Sequence, residues 1–235
     1  MEEDKFLPLG DQLEELTKEF LALKERNSAM QKVIQKLKQE FEMIKISTHT
    51  PRYMGITNGH AWVQLWEGGP KFATCNIGAN QPWEYGGRYT WGGTYAQIEG
   101  TYKDDYWKED ATFPSDRNIA TISWGEEWRM PTKEELYTLL QKCGKGKWVD
   151  NYNGTRIKGR LFKGKGKFIE QELFFPATGY CNGCNFYDVG ASGNYWSCVP
   201  NDCNNACFLY FNGSNSHMSN YNRNFGLSVR AVLNE

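Results

Sequence analysis

Between Leu173 and Asn234 the chain has no lysine, no glutamate and no glutamine. The 172 residues before that stretch hold all 18 lysines, 18 of the 19 glutamates and all nine glutamines. Exposed surface normally draws freely on Lys and Glu, so the absence excludes an ordinary solvated tail. The three missing residue types share codons that end in a purine. Asn, Cys, Tyr, Phe, Ser, Asp and His take their place, and all have codons ending in a pyrimidine. Tyr180 to Gly226 alone holds 11 of the 19 asparagines and five of the seven cysteines. Codons varied at their first two positions from AAC-like parents generate this set. The stretch therefore reads as a diversified recognition surface.

Other absences narrow the class further. No apolar run approaches the ~18 residues of a membrane span, so no membrane insertion is expected. The opening Met1-Glu2-Glu3-Asp4 lacks an apolar core, so no secretory signal is expected. The net charge is −1, which points to neither nucleic acid nor anionic membranes as partners. Seven cysteines, an odd number, do not make a full disulfide framework the default. Three scattered histidines, His49, His60 and His217, form no hydrolase constellation with a plausible nucleophile.

What is present begins with a 4-3 apolar repeat. Leu13, Phe20, Asn27, Ile34 and Phe41 fall at heptad position a. Leu9, Leu16, Leu23, Met30, Leu37 and Ile44 fall at d. The stripe is narrow, stays in register and contains no proline, which is the pattern of a coiled coil rather than of a helix lying on a globular core. Glu19 and Glu40 at g can reach Lys24 and Lys45 at e of a parallel neighbour. Asn27 in the seam can fix register, while Phe20, Phe41 and Val33 favour a core wider than a dimer. Residues 1–46 are thus expected to form a parallel homotrimeric stalk, with a dimer as second choice. Residues 47–52, Ser-Thr-His-Thr-Pro-Arg, would break it and serve as a linker.

From residue 53 to 235 the periodicity changes to an α+β pattern of few helices, many short strands and long loops. His60–Trp66 and Lys71–Asn76 read as a strand pair around Gly68-Gly69-Pro70. Pro82 to Gly93 reads as an ordered loop. Thr132 and Glu135 form a capping box opening a helix buried through Leu136, Leu139 and Leu140 and stopped by Gly144. Gly154–Gly166 reads as a basic hairpin. Leu173–Pro176, Asn194–Ser197, Phe208–Phe211 and Leu227–Leu233 read as strands.

Five segments stand out as a set: Phe72-Ala73-Thr74-Cys75-Asn76-Ile77-Gly78-Ala79, Trp124-Gly125 with Trp128-Arg129-Met130-Pro131-Thr132, Phe175-Pro176-Ala177-Thr178-Gly179-Tyr180, Gly193-Asn194-Tyr195-Trp196-Ser197, and Gly226-Leu227-Ser228-Val229-Arg230. In this order they resemble the C-type-lectin-fold variable proteins of diversity-generating retroelements, as found in gut Bacteroides and their phages. The resemblance covers about residues 60 to 233. It implies a C-type lectin fold of the formylglycine-generating-enzyme-like subtype, preceded by the N-terminal parallel coiled coil. It also implies a variable region at about 180–226, trimeric assembly and a place at a phage tail-fibre tip beside other tail-fibre proteins. The implied partner is a bacterial surface receptor, protein or glycan, and the implied location the virion, with the bacterial cell surface as alternative.

The resemblance implies a fixed scaffold of Trp128, Arg129, Pro176, Gly179, Tyr195, Trp196, Gly226 and Arg230. The replaceable, ligand-facing positions would be Cys181, Asn182, Cys184, Asn185, Phe186, Tyr187, Asp188, Asn194, Asn201, Asp202, Cys203, Asn204, Asn205, Cys207, Phe208, Tyr210, Asn212, Asn215, His217, Asn220, Tyr221, Asn222, Asn224 and Phe225. In Phe208–Asn212 some side chains must face the core and others a ligand, because strand side chains alternate. Tyr and Phe give contact area at low entropy cost and Asn gives adaptable hydrogen bonds, which is the chemistry of a binding surface. Tyr187, Phe208, Tyr210 and Tyr221 are the expected hot spots.

Three other chemistries compete for the same residues. Cys181-x-x-Cys184 with Cys198, Cys203 and Cys207 has the spacing of a zinc pair, and disulfides could form in an oxidising medium. Free thiols, sampled like the other variable residues, are the expectation, and no metal or cofactor is expected. Cys198 and Cys203 have the spacing of the catalytic pair of the formylglycine-generating enzymes, but the basic and aromatic residues around that pair are missing, so no enzyme is expected. Glu-Pro-Asn and Gln-Pro-Asp motifs are absent, which argues against calcium at the surface.

Overall fold

Heptad positions become one continuous helix, α1 (Leu9–Thr48). A computed structural model describes residues 8–48 and 53–234, and the chain divides into two units, one holding α1 and the other everything from residue 53 on. At ~1.5 Å per residue α1 is about 60 Å long. It runs through Ser47 and Thr48, two residues beyond the expected break. Pro51 is the residue that forbids a helix, and its effect reaches back only a few positions. His49–Arg52 of the expected linker lie outside the described residues. Every described side chain from Pro8 to Lys38 is exposed, including Leu9, Leu13, Leu16, Phe20, Leu23, Asn27, Met30, Ile34 and Leu37. The side chains of Phe41 and Ile44 lie outside the described residues.

The second unit is α+β and built on antiparallel sheets. Asn58 and Gly59 both have positive φ and link β1 (Gly55–Thr57) to β2 (His60–Val63) through a two-residue turn of the type hairpins favour. β2 pairs with β3 (Phe72–Ala73), the expected strand pair in shortened form. The last strand, β13 (Val232–Leu233), inserts between β3 and β4 (Trp128–Arg129), so the sheet order is β1-β2-β3-β13-β4. Asn118 caps α2 (Ile119–Trp124), a helix the sequence did not reveal. α3 (Lys133–Cys143) carries the expected capping box between Thr132 and Glu135 and buries Leu136 and Leu139.

A second sheet joins β5 (Lys147–Val149), β6 (Gly159–Lys163) and β7 (Glu172–Pro176). Gly154–Gly166 is therefore not a hairpin in itself but contains the middle strand of three. Its outer partner β5 is too short, and too close to Gly144 and Gly146, to announce itself by periodicity. Similarly, Leu227–Leu233 forms a paired strand only at its end. Leu227 and Ser228 are held by single bridges to Tyr89 and Tyr195. A small hairpin, β8 (Tyr180–Asn182) with β9 (Asn185–Tyr187), precedes the last sheet.

That last sheet, β10 (Ser192–Pro200), β11 (Asn205–Asn212) and β12 (Ser216–Asn222), spans half of the lysine-free stretch. Its strands β10 and β11 are buried on both faces, whereas β12 is largely exposed or half-buried. Trp196, Ala206 and Phe208 pack with Trp91, Trp124 and Trp128 on one side. Tyr195, Leu209 and Phe211 pack with Leu136, Leu139 and Phe175 on the other. Alternation still holds, but each face meets its own core.

Buried arginines tie these layers together by collecting backbone carbonyls. Arg230 donates to Asn76 Oδ1 at 3.0 Å, to the carbonyls of Ala73 at 3.1 Å and Phe174 at 3.0 Å, and to that of Thr74. Its guanidinium lies 4.8 Å from the centroid of the Phe175 ring. The other expected scaffold residues are buried too, apart from Arg129, which is half-buried and ion-paired to Glu135 at 2.7 Å.

Candidate functional site

The surface is assembled from four pieces: the β8–β9 hairpin, the 201–204 turn, strands β11 and β12, and the segment 223–226. Backbone bonds join them. Cys181 and Gly226 exchange hydrogen bonds at 2.8 and 2.9 Å, and Arg223 N donates to Asn204 O at 2.9 Å. Gly179 makes the hairpin possible: its φ is +65°, and an added Cβ would lie 2.0 Å from Tyr187 O.

Aromatic rings then run across the pieces. Tyr187 stacks on Tyr180 at 5.4 Å, and Tyr180 meets Tyr221 edge-on at 5.5 Å. Tyr221 contacts Phe225 at 4.3 Å and stacks over Phe208 at 5.6 Å. Tyr210 continues the run, 6.5 Å from Phe208 and 5.1 Å from His217.

Of the 24 expected ligand-facing residues, Asn182, Cys184, Asn185, Tyr187, Asp188, Asn201, Cys203, Asn204, Asn215, His217, Asn220 and Asn222 are exposed. Phe186, Asp202, Asn205, Tyr210, Asn212, Tyr221, Asn224 and Phe225 are half-buried. Cys181, Asn194, Cys207 and Phe208 are buried, which corrects the expectation that they face a ligand. Phe208 is 4% exposed because it is sandwiched between Trp196 and Tyr221, so it supports the surface instead of presenting to it. Asn194 is spent on Ser192 Oγ at 3.0 Å, and its carbonyl accepts from Ser228 N.

The set is also not one patch. Asn212 and Asn215 lie in the β11–β12 turn, at the opposite end of β11 from Asn205 and its cross-strand partner Asn222. At ~3.4 Å per residue that separates them by about 24 Å.

Several asparagines serve the turns. Asp202 accepts from Asn204 N at 2.9 Å, Asn205 N at 2.8 Å, and the side-chain amides of Asn205 and Asn201. These bonds, led by Asn205, hold its carboxyl down at about 2. Asn212 Oδ1 accepts from Ser214 N and Asn215 N at 2.9 Å each. By contrast, Asn182, Asn185 and Asn220 are exposed with no side-chain hydrogen-bond partner among the described residues.

Burial sets the remaining ionisations. Burial first, then the neighbouring Tyr180 hydroxyl, pushes Tyr221 up to about 12. Burial raises the Cys181 and Cys207 thiols and pushes Cys198 up to about 11. All seven cysteines are free thiols in this structure. Among the described residues no three His, Cys, Asp or Glu side chains are gathered to hold a metal ion. A cleft of about 240 Å³ lies elsewhere, lined by Tyr53, Thr74, Cys75 and by His60 stacked on Trp124 at 3.8 Å.

Sequence reasoning missed two contributors. Tyr180, placed in a fixed motif, is the hub of the ring run. Arg223 is fully buried: it donates to Asn205 O at 3.3 Å, Glu109 O at 2.6 Å and Asp202 O, and lies 4.5 Å from the centroid of the Trp91 ring. It pins the 107–110 loop and the 201–205 turn to the end of β12. The signal was available, since Arg223 and Arg230 are the only cations in the lysine-free stretch.

Comparison with known proteins adds one match. A family described as a domain of unknown function, DUF8237, matches residues 140–232, which covers α3's end through β13. No curated protein and no solved structure matches the chain.

Proposed function

We propose that this chain is a non-enzymatic receptor-binding protein with a hypervariable recognition surface, of the retroelement-diversified type, carried at a phage tail-fibre tip. The globular unit is read as a C-type lectin fold, and α1 as one strand of a parallel three-stranded coiled coil that presents three such heads to a bacterial surface molecule. One observation carries this reading. The lysine-free stretch, whose composition has the mark of altered codons, supplies a continuous run of rings and unpartnered amides, while buried arginines and tryptophans hold the backbone beneath it.

Two further features support it. Nine heptad-core side chains of α1 are exposed in the single chain, a stripe that a second and third copy would cover. Cys198, the residue an oxidase reading would need, has its thiol pushed up to about 11 by burial, which disfavours the reactive thiolate.

The test is binding of the purified full chain to a panel of bacterial cells, compared with Tyr187→Ala and Asn220→Ala variants of unchanged melting temperature. Saturable binding to particular strains, weakened by either variant, is expected. Binding to every strain alike, or variants that bind as well as the parent, would overturn the assignment.

A further inference from the structure

Four Asn-Gly pairs punctuate the globular unit: Asn58-Gly59, Asn153-Gly154, Asn182-Gly183 and Asn212-Gly213. Such a pair carries a latent reaction. Glycine has no Cβ to shield its amide nitrogen, which can reach Cγ of the preceding asparagine. Whether the reaction proceeds depends on how firmly the fold holds the asparagine side chain.

In three of the four it is held. Asn58 Nδ2 donates to Trp124 O at 3.0 Å and to Glu127. Asn212 Oδ1 accepts from two backbone amides and its Nδ2 donates to the Tyr210 hydroxyl at 3.1 Å. Asn153 shares a side-chain hydrogen bond with Tyr152, which is itself buried and stacked on Phe174.

Asn182 differs in what holds its amide, although Asn58 is exposed as well. Asn182 is exposed and its amide has no partner among the described residues. It sits at the end of β8, paired with Asn185, so Gly183 and Cys184 are the two loop residues of the hairpin. Gly183 has φ +59° and Cys184 is not left-handed, the signature of a type II′ turn. A Cβ added to Gly183 would meet no atom within 4 Å, so the turn is open on that side, as it is at Gly59.

We propose that Asn182 is a site of spontaneous amide-to-acid conversion encoded in the recognition face. The lone pair of Gly183 N adds to Asn182 Cγ and closes a succinimide ring. The bond from Cγ to the side-chain nitrogen breaks, and that nitrogen leaves as ammonia with the proton from Gly183 N. Solvent water then opens the ring at either carbonyl. One route gives aspartate, the other isoaspartate, with one methylene added to the backbone. The product places a carboxylate on a stretch whose only acids are Asp188 and Asp202, and the isoaspartate form lengthens the hairpin loop. Its consequence for ligand binding rests on the receptor-binding reading; the conversion itself does not.

The full chain, kept folded at mildly alkaline pH, is sampled over time, digested and read by mass spectrometry. Chymotrypsin is needed, because no Lys or Arg lies between Lys167 and Arg223 and trypsin would leave Asn182 and Asn212 in one peptide. The Asn182 peptide is expected to acquire the amide-to-acid mass increment and split into an aspartate and isoaspartate pair. It should do so roughly tenfold or more ahead of the other three, the factor set by breaking one or two hydrogen bonds. In urea the four rates should converge. The proposal is overturned if the four convert at one rate in the folded chain, if another converts first, or if Asn182 stays an amide while the unfolded chain converts.

Discussion

Arg223 illustrates how single residues hold this surface. It is the one cation between Leu173 and Val229, yet none of it reaches solvent. Its donors go chiefly to the backbone carbonyls of Trp107, Glu109, Asp202 and Asn205, of which Asn205 O also accepts from Asn201 N and Asp202 N. Replacing it with Met fills the space but takes the guanidinium away from the Glu109 and Asp202 carbonyls, so Arg223→Met is expected to cost about 3 kcal/mol or more. Thermal melts beside Tyr187→Ala, which is 41% exposed and expected to cost less than about 1 kcal/mol, provide the check. Asp202 makes the complementary case. Hydrogen bonds hold its folded carboxyl at about 2, below its ordinary value. A depressed pKa contributes stability that is present above the unfolded value of ~3.9 and lost as pH falls toward the folded one. Acid titration of the melting temperature should therefore show a decline between about pH 4 and 2 that is shallower in Asp202→Asn.

At the level of elements, β11 separates what was readable from what was not. Phe208–Phe211 is apolar throughout, and that marked a strand. The same letters do not say that both faces meet cores, so Phe208 looked as available as Tyr210. Packing separates them: Phe208 is buried between Trp196 and Tyr221, while Tyr210, two residues on, is half-buried against exposed His217. The α3 capping box was legible because it is local, Thr132 and Glu135 lying three residues apart. Arg223's partners, 107–110, lie more than a hundred residues away, and no local pattern announces them. β12 was missed because Ser216–Asn222 carries almost no β-branched or apolar residues. The hairpin gives the element-scale prediction. Gly179→Ala forces a left-handed φ on alanine and drives its Cβ against Tyr187 O. It should lower the melting temperature, whereas Cys184→Ser at the exposed loop should leave it unchanged.

For the whole molecule, the exposed stripe on α1 predicts assembly. Three copies joined on one stalk would gain avidity without any new contact per head. Sedimentation of the purified chain is expected to give three times 27.1 kDa. Leu16→Asp with Leu23→Asp should dissociate it while leaving the melt of the globular unit in place. The most direct measurement on the diversified surface is DNA sequencing around the locus that encodes it. A near-copy of the codons for 180–226 is predicted, differing only at adenines, with the differences falling on exposed and half-buried positions such as Asn182, Tyr187, Asn220 and Tyr221. The codons for Trp196 and Arg223 should match. No near-copy, differences at other bases, or differences concentrated at these two buried residues would contradict a surface built to vary.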